Sequence, residues 1–297
     1  MSVAVVTTSY PSEDGDPAGH FVKTEVEDLE RDGHRVTVIT PEAGGAFGWP
    51  GAAFRLREKP WRAFEMAGWM RRAASQLRAA HPDRVIAHWS VPSAFPVVTS
   101  AGLDHVPLEI VSHGGDVRLL AASPAPVRRK IMDRLVSRAT TWRFVSSSLL
   151  EKLALVLDAK RAAALRAISV IAPSPLTMLD VDEEVRARRS ALGSRQLFVC
   201  AGRLVRSKRV DRVIDYVASQ RAGKPLLVVI GDGPERERLE LLARNWAIDV
   251  RFLGNTPRRE TLAWIGAADE LVHASIAEGM STVMREAEQL GVKITVL

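Results

Sequence analysis

Residues 197–219 read LFVCAGRLVRSKRVDRVIDYVAS, and this stretch decides the class of fold. Its first five residues are apolar and are typical of a buried strand. A loop with a glycine and several basic residues follows, and then an amphipathic segment over 210–219 that is typical of a helix. The order of strand, glycine-containing loop and helix is the repeating unit of parallel sheets covered by helices.

The same alternation runs along the whole chain and predicts an α/β protein. The predicted strands are Val3–Thr7, Val36–Thr40, Val85–Ala87, Leu108–Ser112, Trp142–Val145, Leu197–Ala201, Leu226–Ile230, Val250–Leu253 and Glu270–Val272. The predicted helices include Phe21–Asp32, Trp61–Ala80, Val127–Ala139, Val210–Ser219 and Glu235–Asn245.

The length of 297 residues accommodates two domains of ordinary size. The segment Pro173-Ser174-Pro175 interrupts regular structure, and a highly charged stretch follows it. We therefore predict an N-terminal domain of residues 1–172, a linker of residues 173–195 and a C-terminal domain of residues 196–297. Both halves open on a strand and a loop, so we expect two Rossmann-like domains that face a common cleft.

The composition limits the class of partner and the compartment. A net charge of +6 and a pI near 9.8 favour anionic partners, but basic and aromatic residues are not interleaved as in nucleic-acid-binding platforms, so no nucleic acid is expected. No apolar run is long enough to span a membrane, and no secretory signal is recognised. The single cysteine, Cys200, lies in an apolar run, which predicts a cytoplasmic protein without disulfides.

Arg203 and Lys208 follow the strand Leu197–Ala201, where open α/β sheets bind ligands. Two cations at this position suit a diphosphate, and Gly202 suits a backbone that passes close to a ligand. The alternative is that both charges are solvated loop residues.

The stretch Glu278-Gly279-Met280-Ser281-Thr282-Val283-Met284-Arg285-Glu286 sets two carboxylates eight residues apart across a loop that opens into a helix. A helix that begins near Ser281 or Thr282 offers free backbone N–H groups to a diphosphate. One carboxylate is then available to a sugar and the other to a ribose. The alternative is that both are surface glutamates.

The loops that follow two further predicted strands also contain candidate residues. Gly231-Asp232-Gly233-Pro234 is a tight turn whose spacing is not G-x-G-x-x-G, so a dinucleotide site is weakly supported and the simpler interpretation is a turn before a helix. Asn255 follows the next strand, and we expect it to lie beside a nucleobase.

The order of these signals resembles the family 4 glycosyltransferases, which have the two-domain GT-B fold and mostly transfer sugar with retention of configuration. The resemblance covers nearly the whole chain. It depends on the opening strand with its glycine loop, Ser112-His113-Gly114-Gly115-Asp116-Val117, Phe144-Val145-Ser146-Ser147-Ser148, Gly202 to Lys208, Gly231-Asp232-Gly233-Pro234, and Glu278 with Glu286.

The resemblance implies roles for these residues. Arg203 and Lys208 would hold the donor diphosphate, Glu278 would contact the donor sugar, and Glu286 would accept hydrogen bonds from ribose hydroxyls. His113 would reach the donor sugar from the N-terminal domain, although a lone histidine at a strand end is more often structural. Asp116 would orient the loop of His113 or cap the following helix.

The remaining implied roles concern the loops. Gly19 would let the first loop approach donor and acceptor, and otherwise it is a turn glycine. Donor binding is assigned to Gly19, Gly202, Gly233, Asn255, Gly279, Met280, Ser281, Thr282 and Glu286.

The chain departs from the family pattern in several places. The first loop has Ala18-Gly19 in place of a glycine pair, and Met280-Ser281 replaces Phe and Gly, so donor-sugar choice is expected to differ. The sequence ends inside an expected strand near Leu297, which predicts a C-terminal domain shorter than usual. Either the form is truncated, or another copy supplies the missing surface and the protein is a homo-oligomer.

Neither a metal nor a cofactor is expected. The D-x-D pattern of Asp180 and Asp182 lies in the predicted linker, and Arg203 with Lys208 can supply the charge that a metal would provide.

Membrane contact is the remaining question about partners. Apolar stripes with basic surroundings occur on the predicted helices 61–80 and 127–139. They indicate core-facing helices, with peripheral attachment to the inner face of an anionic membrane as the alternative.

The sequence therefore predicts a glycosyltransferase that moves sugar from a nucleoside diphosphate-sugar to a hydroxyl acceptor, with retention. One alternative is a non-catalytic nucleotide-sugar-binding protein or partner subunit. Another is a sugar-nucleotide epimerase on the same fold. A nicotinamide dehydrogenase is disfavoured because the first loop lacks G-x-G-x-x-G.

Overall fold

A computed structural model describes residues 1–11, 19–42, 44–47, 52–220, 225–246, 248–275 and 281–297, without the side chains of residues 53, 54 and 57. The chain forms two compact units, of which the first ends at Pro175 and the second begins at Leu176.

All paired strands named here run parallel. They are β1 Ser2–Val6, β2 Arg35–Ile39, β3 Arg84–His88, β4 Leu108–Ser112, β5 Thr141–Phe144, β6 Ser169–Ile171, β7 Leu197–Ala201, β8 Leu226–Ile230, β9 Asp249–Gly254, β10 Glu270–His273 and β11 Lys293–Val296. The helices are α1 His20–Arg31, α2 Ala52–Glu58, α3 Ala63–Ala80, α4 Ser90–Ser93, α5 Phe95–Val98, α6 Gly115–Ala122, α7 Ala125–Arg138, α8 Ser147–Ala154, α9 Ala159–Ala167, α10 Asp182–Leu192, α11 Val210–Ser219, α12 Arg236–Trp246, α13 Arg258–Ala267 and α14 Thr282–Gln289.

The first unit is a sheet in the order β2-β1-β3-β4-β5-β6. One face carries the larger core, to which α3, α5, α6, α7, α8 and α9 contribute buried side chains. The other face packs against α1 through Val22 and Val26. The strand order reverses beside β1, because β2 pairs on one side of it and β3 on the other. Open α/β sheets bind ligands at such a reversal.

The second unit is a sheet in the order β11-β10-β7-β8-β9. Helices α11 and α12 cover one face, and α10, α13 and α14 contribute to the cores on the other. Strand β8 is buried along its whole length, as expected of a parallel strand between two helical layers. Here the reversal lies at β7, which pairs with β8 on one side and β10 on the other.

The sequence prediction of an α/β protein with two parallel sheets is confirmed, and the bounds of β4, β7, β8 and α11 are as predicted. The structure differs around the predicted linker. Its residues 182–192 form α10, which packs against α13 in the second unit. Strand β6 was not predicted, because it has only three residues and two of them are exposed.

Candidate functional site

The loops that leave β7, β8 and β9 in the second unit are hydrogen-bonded to one another. The amide of Leu204 donates to Asp232 O at 2.8 Å, and the amide of Glu235 donates back to Leu204 O at 3.0 Å. The amide of Gly231 donates to Gly254 O at 2.7 Å. All three loops follow the carboxyl ends of parallel strands, so Gly202, Arg203, Lys208, Gly233 and Asn255 lie at one edge of the sheet.

Gly231 and Gly233 allow this close packing. A Cβ on Gly231 would lie 2.2 Å from Gly202 O, and a Cβ on Gly233 would lie 2.4 Å from Leu204 O. Both distances are far inside van der Waals contact, so no larger residue fits unless the backbone moves. From sequence, Gly231-Asp232-Gly233-Pro234 was interpreted as a turn before a helix. In the structure this turn also packs against the loop of Arg203 and Lys208 and supports it.

Lys208 lies at the reversal of strand order in the second sheet. Burial, together with the positive charge of Lys208, lowers the pKa of His273 at the end of β10 to about 4. Burial raises the pKa of the Cys200 thiol on β7 to about 12, and Lys208 opposes this shift. The Lys208 side chain lies over the end of β7, because a Cβ built on Gly202 would be 3.7 Å from its Cε and 3.8 Å from its Nζ.

The helix predicted to begin near Ser281 or Thr282 is confirmed, because α14 begins at Thr282 with Ser281 as its N-cap residue. Five residues before Ser281 lie outside the described residues, and they include Glu278, Gly279 and Met280. Ser275 stands just before that gap, and its hydroxyl donates to Ser207 O at 3.4 Å. The chain that leads to α14 therefore starts beside the loop that carries Lys208.

Glu286 lies in the second turn of α14 and is buried. It forms an ion pair with Arg258, the first residue of α13, at 2.9 Å. Arg258 was not among the residues predicted from sequence, because nothing in its local pattern distinguishes it from neighbouring surface arginines.

The first unit holds His113 in a loop after β4, with both ring nitrogens next to polar atoms. Nε2 lies 3.0 Å from Nδ1 of His88, and Nδ1 lies 3.4 Å from Oγ of Ser174. The rings of Phe21 and Trp89 pack against the imidazole, each with its centroid 4.7 Å away. Burial lowers the pKa of His113 to about 4, so the ring is neutral at neutral pH.

Asp116 fixes the loop of His113. Its Oδ1 accepts from the amides of His113 at 3.2 Å and Gly114 at 3.1 Å. Its Oδ2 accepts from the amide of Ser90 at 2.9 Å, from the Ser90 hydroxyl at 2.8 Å and from the Ser112 hydroxyl at 2.7 Å. The carboxylate therefore joins the loops after β3 and β4, which is the orienting role considered for it from sequence.

Gly19 is the N-cap residue of α1 and has φ 70°. A Cβ there would lie 2.3 Å from Ser9 O, so the glycine is required by close packing within its own loop. This local reason holds independently of any contact with a donor or an acceptor.

Two family models match this chain. The model for "Glycosyl transferase 4-like domain" matches residues 18–169, about half of the chain, and the model for "Glycosyl transferases group 1" matches residues 181–296. The chain belongs to the glycosyl transferase 4-like family. The two matches fall on the first and the second unit respectively.

Relatives of this glycosyltransferase match nearly the whole chain. The putative teichuronic acid biosynthesis glycosyltransferase TuaC of Bacillus subtilis is 25% identical over 332 residues, covering 99% of this chain and 80% of TuaC. HepE of Anabaena, solved with UDP-glucose, has a TM-score of 0.70 and 16% identity over 100% of this chain and 80% of HepE. Sucrose-phosphate synthase of Thermosynechococcus elongatus has a TM-score of 0.73 and 20% identity, covering 100% and 81% of the two chains. The predicted GT-B fold is thereby confirmed.

Sequence analysis of this glycosyltransferase missed His88, the last residue of β3. A polar residue that ends a buried strand next to the strand of His113 was the signal that could have revealed it. Among the described residues, none of the helices is long and apolar enough to cross a bilayer.

No cluster of three or more metal-ligating side chains occurs within the described part of the glycosyltransferase. The D-x-D pattern lies at the start of α10, where Asp180 Oδ1 accepts from the amide of Asp182 at 3.2 Å.

Proposed function

We propose that this glycosyltransferase moves a sugar from a nucleoside diphosphate-sugar to a hydroxyl acceptor with retention of configuration. The observation that carries the proposal is the position of Lys208 at the strand reversal of the second sheet. Its side chain lies over Gly202 at the end of β7, and the neighbouring Ser207 accepts from the hydroxyl of Ser275, two residues beyond β10. A cation at such a reversal suits the phosphates of a nucleotide.

The donor is assigned from the surrounding groups. Arg203, Lys208 and the first amides of α14 would neutralise the diphosphate without a metal ion, and Glu286 would accept hydrogen bonds from the ribose. HepE was solved with UDP and with UDP-glucose, which supports a nucleotide-sugar donor. Glu278 is proposed to contact the donor sugar. TuaC acts in teichuronic acid biosynthesis by its name, which supports a glycan acceptor.

The reaction proposed is departure of the diphosphate and attack of the acceptor hydroxyl on the same face of the sugar. The bond between the anomeric carbon and the diphosphate oxygen breaks as the bond to the acceptor oxygen forms, and the departing diphosphate takes the acceptor proton. Cations that meet the developing negative charge lower the barrier. The one-bond coupling between C1 and H1 in the NMR spectrum of the first product, compared with that of the donor, reports whether configuration is retained.

Donor binding is tested by thermal shift with UDP-, GDP-, ADP- and dTDP-sugars. A ligand at about 100 times its Kd stabilises the folded state by roughly 2.7 kcal/mol, so one class of donor is expected to raise Tm. Lys208→Ala should abolish the shift. Lys152→Ala removes the same charge from an exposed position on α8 and should leave the shift intact.

The reaction outcomes separate the alternatives. Transfer to an added glycan acceptor that is lost in Lys208→Ala supports the proposal. A new sugar epimer in a reaction without acceptor would indicate an epimerase. Binding of a donor without transfer or hydrolysis would indicate a nucleotide-sugar-binding partner subunit.

Contact with an anionic membrane is a second proposal, and it comes from α3 and the turn before it. Trp61 and Phe64 are 56% and 81% exposed, and Arg71 is exposed seven residues after Phe64 on the same side of the helix. By contrast, Trp69 and Leu77 are buried in the core, as the core-facing interpretation predicted.

Sedimentation with vesicles tests this contact. The protein is expected to bind vesicles rich in phosphatidylglycerol and not vesicles of phosphatidylcholine alone. Phe64→Ser should weaken binding, whereas Leu155→Ser, also 81% exposed in the first unit, should not. Equal loss in both variants would contradict a specific role for α3.

A further inference from the structure

Glu25, His88 and His113 form a row of neighbouring side chains in the first unit. The function proposed above assigns no role to Glu25 or His88. His88 is fully buried, and its Nδ1 is 3.0 Å from Nε2 of His113, with the two ring planes only 16° apart. One proton is shared in this contact, so one ring donates and the other accepts.

The far side of His88 faces a carboxylate. Its Nε2 lies 3.8 Å from Oε2 of Glu25 on α1. Both atoms are buried and have no hydrogen-bond partner among the described residues. Buried polar atoms in folded proteins are nearly always paired, so a short approach or one bridging water would make each atom the partner of the other.

The charges around Glu25 favour its ionised form. Glu25 forms an ion pair with Arg143, which also contacts Glu109 at 2.8 Å, and Glu109 in turn pairs with Arg84. Two arginines and two carboxylates give a neutral cluster, whereas a protonated Glu25 would leave excess positive charge in a buried position. Burial raises the pKa of Glu25, and Arg143 opposes that rise.

The direction of every hydrogen bond in the row follows from this charge. Burial lowers the pKa of both imidazoles, so each ring carries one N–H at neutral pH. If the Nε2–H of His88 points to the Glu25 carboxylate, Nδ1 of His88 is an acceptor. His113 must then donate from Nε2, and its Nδ1 keeps a lone pair beside the hydroxyl of Ser174.

We propose that Glu25 and His88 are positioning residues that hold His113 in the Nε2–H tautomer, so that Nδ1 is a hydrogen-bond acceptor. It accepts from the Ser174 hydroxyl in the free protein and from a hydroxyl of the bound sugar, which takes the place of Ser174, in the complex. This use of the tautomer rests on the proposed nucleoside diphosphate-sugar donor and on the contact of His113 with its sugar that the family resemblance implies. The group recognised at Nδ1 is a hydroxyl and not a phosphate oxygen, because a lone pair accepts a proton and repels an oxyanion.

The test begins with the free protein, labelled with ¹⁵N in its histidine rings. Two-dimensional long-range ¹H–¹⁵N NMR spectra identify the protonated nitrogen of each ring, and single substitutions assign the signals. Both His88 and His113 are expected to carry their proton on Nε2. A proton on Nδ1 in both rings would overturn the proposal, because it would require a protonated Glu25 as the first donor.

Three variants separate positioning from general support of the fold. His88→Phe removes the acceptor for His113 and should move its signals away from the Nε2–H pattern. His88→Asn puts an amide oxygen near the former Nδ1 and should restore that pattern. Ile86→Ala, two residues earlier in β3 and also buried, should destabilise the protein and leave the tautomer of His113 unchanged. An unchanged His113 in His88→Phe would overturn the proposal.

Activity provides the second readout. We expect kcat/KM for the donor to fall about tenfold in His88→Phe, the loss of one ordinary hydrogen bond, and to recover in His88→Asn. Equal losses in both variants would mean that His88 only supports the fold. If the glycosyltransferase function itself fails, no nucleotide-sugar binds to the wild type, whereas the NMR result still decides the tautomer.

Discussion

Arg258 donates two hydrogen bonds to a single carboxylate oxygen of Glu286, from Nε at 3.2 Å and from Nη2 at 2.9 Å. The same Nη2 also donates to Thr177 O at 2.6 Å. One guanidinium therefore joins the start of the second unit, the start of α13 and the second turn of α14. Because both bonds end on Oε1, they fix the direction in which the carboxylate group points.

Removal of this guanidinium is expected to weaken nucleotide binding. Arg258→Ala removes a guanidinium that is paired with a buried carboxylate, so we expect about 3 kcal/mol lower stability and roughly tenfold weaker binding of the nucleotide by isothermal titration. Arg259→Ala is the matched control, because Arg259 pairs with Glu184 on the surface. Unchanged affinity in Arg258→Ala would show that Glu286 is not oriented by this contact.

Asp116 is expected to be among the most costly residues to replace in the first unit. Asp116→Ala removes the acceptor of two hydroxyls and three amides. The free energy of unfolding should therefore fall by roughly 4 kcal/mol in urea titrations followed by circular dichroism. Asp133→Ala removes a carboxylate that is 54% exposed in its ion pair with Arg161 and should leave the free energy of unfolding nearly unchanged. Similar costs for the two variants would contradict the central role of Asp116.

Gly231→Ala should disrupt two loops at once. The new methyl group would lie 2.2 Å from Gly202 O, so the backbone must move, and we expect a loss of at least about 2 kcal/mol together with loss of nucleotide binding. In Gly68→Ala the methyl group meets only the end of Arg72 at 3.6 Å within α3. Tm should rise there by the equivalent of roughly 0.5–1 kcal/mol, and a matching fall would refute the steric argument.

His273 makes the stability of the second unit depend on pH. Its pKa is lowered from 6.5 to about 4, so between these values an unfolded chain binds a proton that the folded chain excludes. The contribution of His273 to the free energy of unfolding is therefore fully present above pH 6.5. It falls by up to about 3 kcal/mol as the pH decreases towards 4. Urea titrations at pH 7.5 and 4.5 measure the loss, which should shrink in His273→Asn. An equal loss in that variant would assign it to other groups.

The strands of the second sheet could be predicted from sequence because Leu197–Ala201 and Leu226–Ile230 are uninterrupted apolar runs, as parallel strands between two helical layers require. Helix α10 was not predicted because it contains no fully buried residue. Its sequence is mostly charged, and few apolar residues indicate the face that packs against the second unit.

The same limit applies to the candidate site. The position of a residue at a strand end follows from local pattern, which is how His113, Arg203 and Lys208 were found. The partners of those residues come from distant parts of the chain: His88 lies 25 residues before His113, and Arg258 lies 28 residues before Glu286. Periodicity within a window of sequence carries no information about such pairs.

The interlocked backbone of the loops after β7 and β8 has a practical consequence for redesign. Insertions or deletions in either loop would have to be compensated in the other. The Leu204 amide donates to Asp232 O, the Glu235 amide donates to Leu204 O, and Gly231 and Gly233 leave no room for a side chain between the loops. Altered donor preference is therefore best sought by varying side chains that project from this scaffold, such as the exposed Arg203 and Asn255, with the backbone length kept constant. A library built in this way would vary the specificity of the site while the hydrogen-bonded backbone of the loops stays intact.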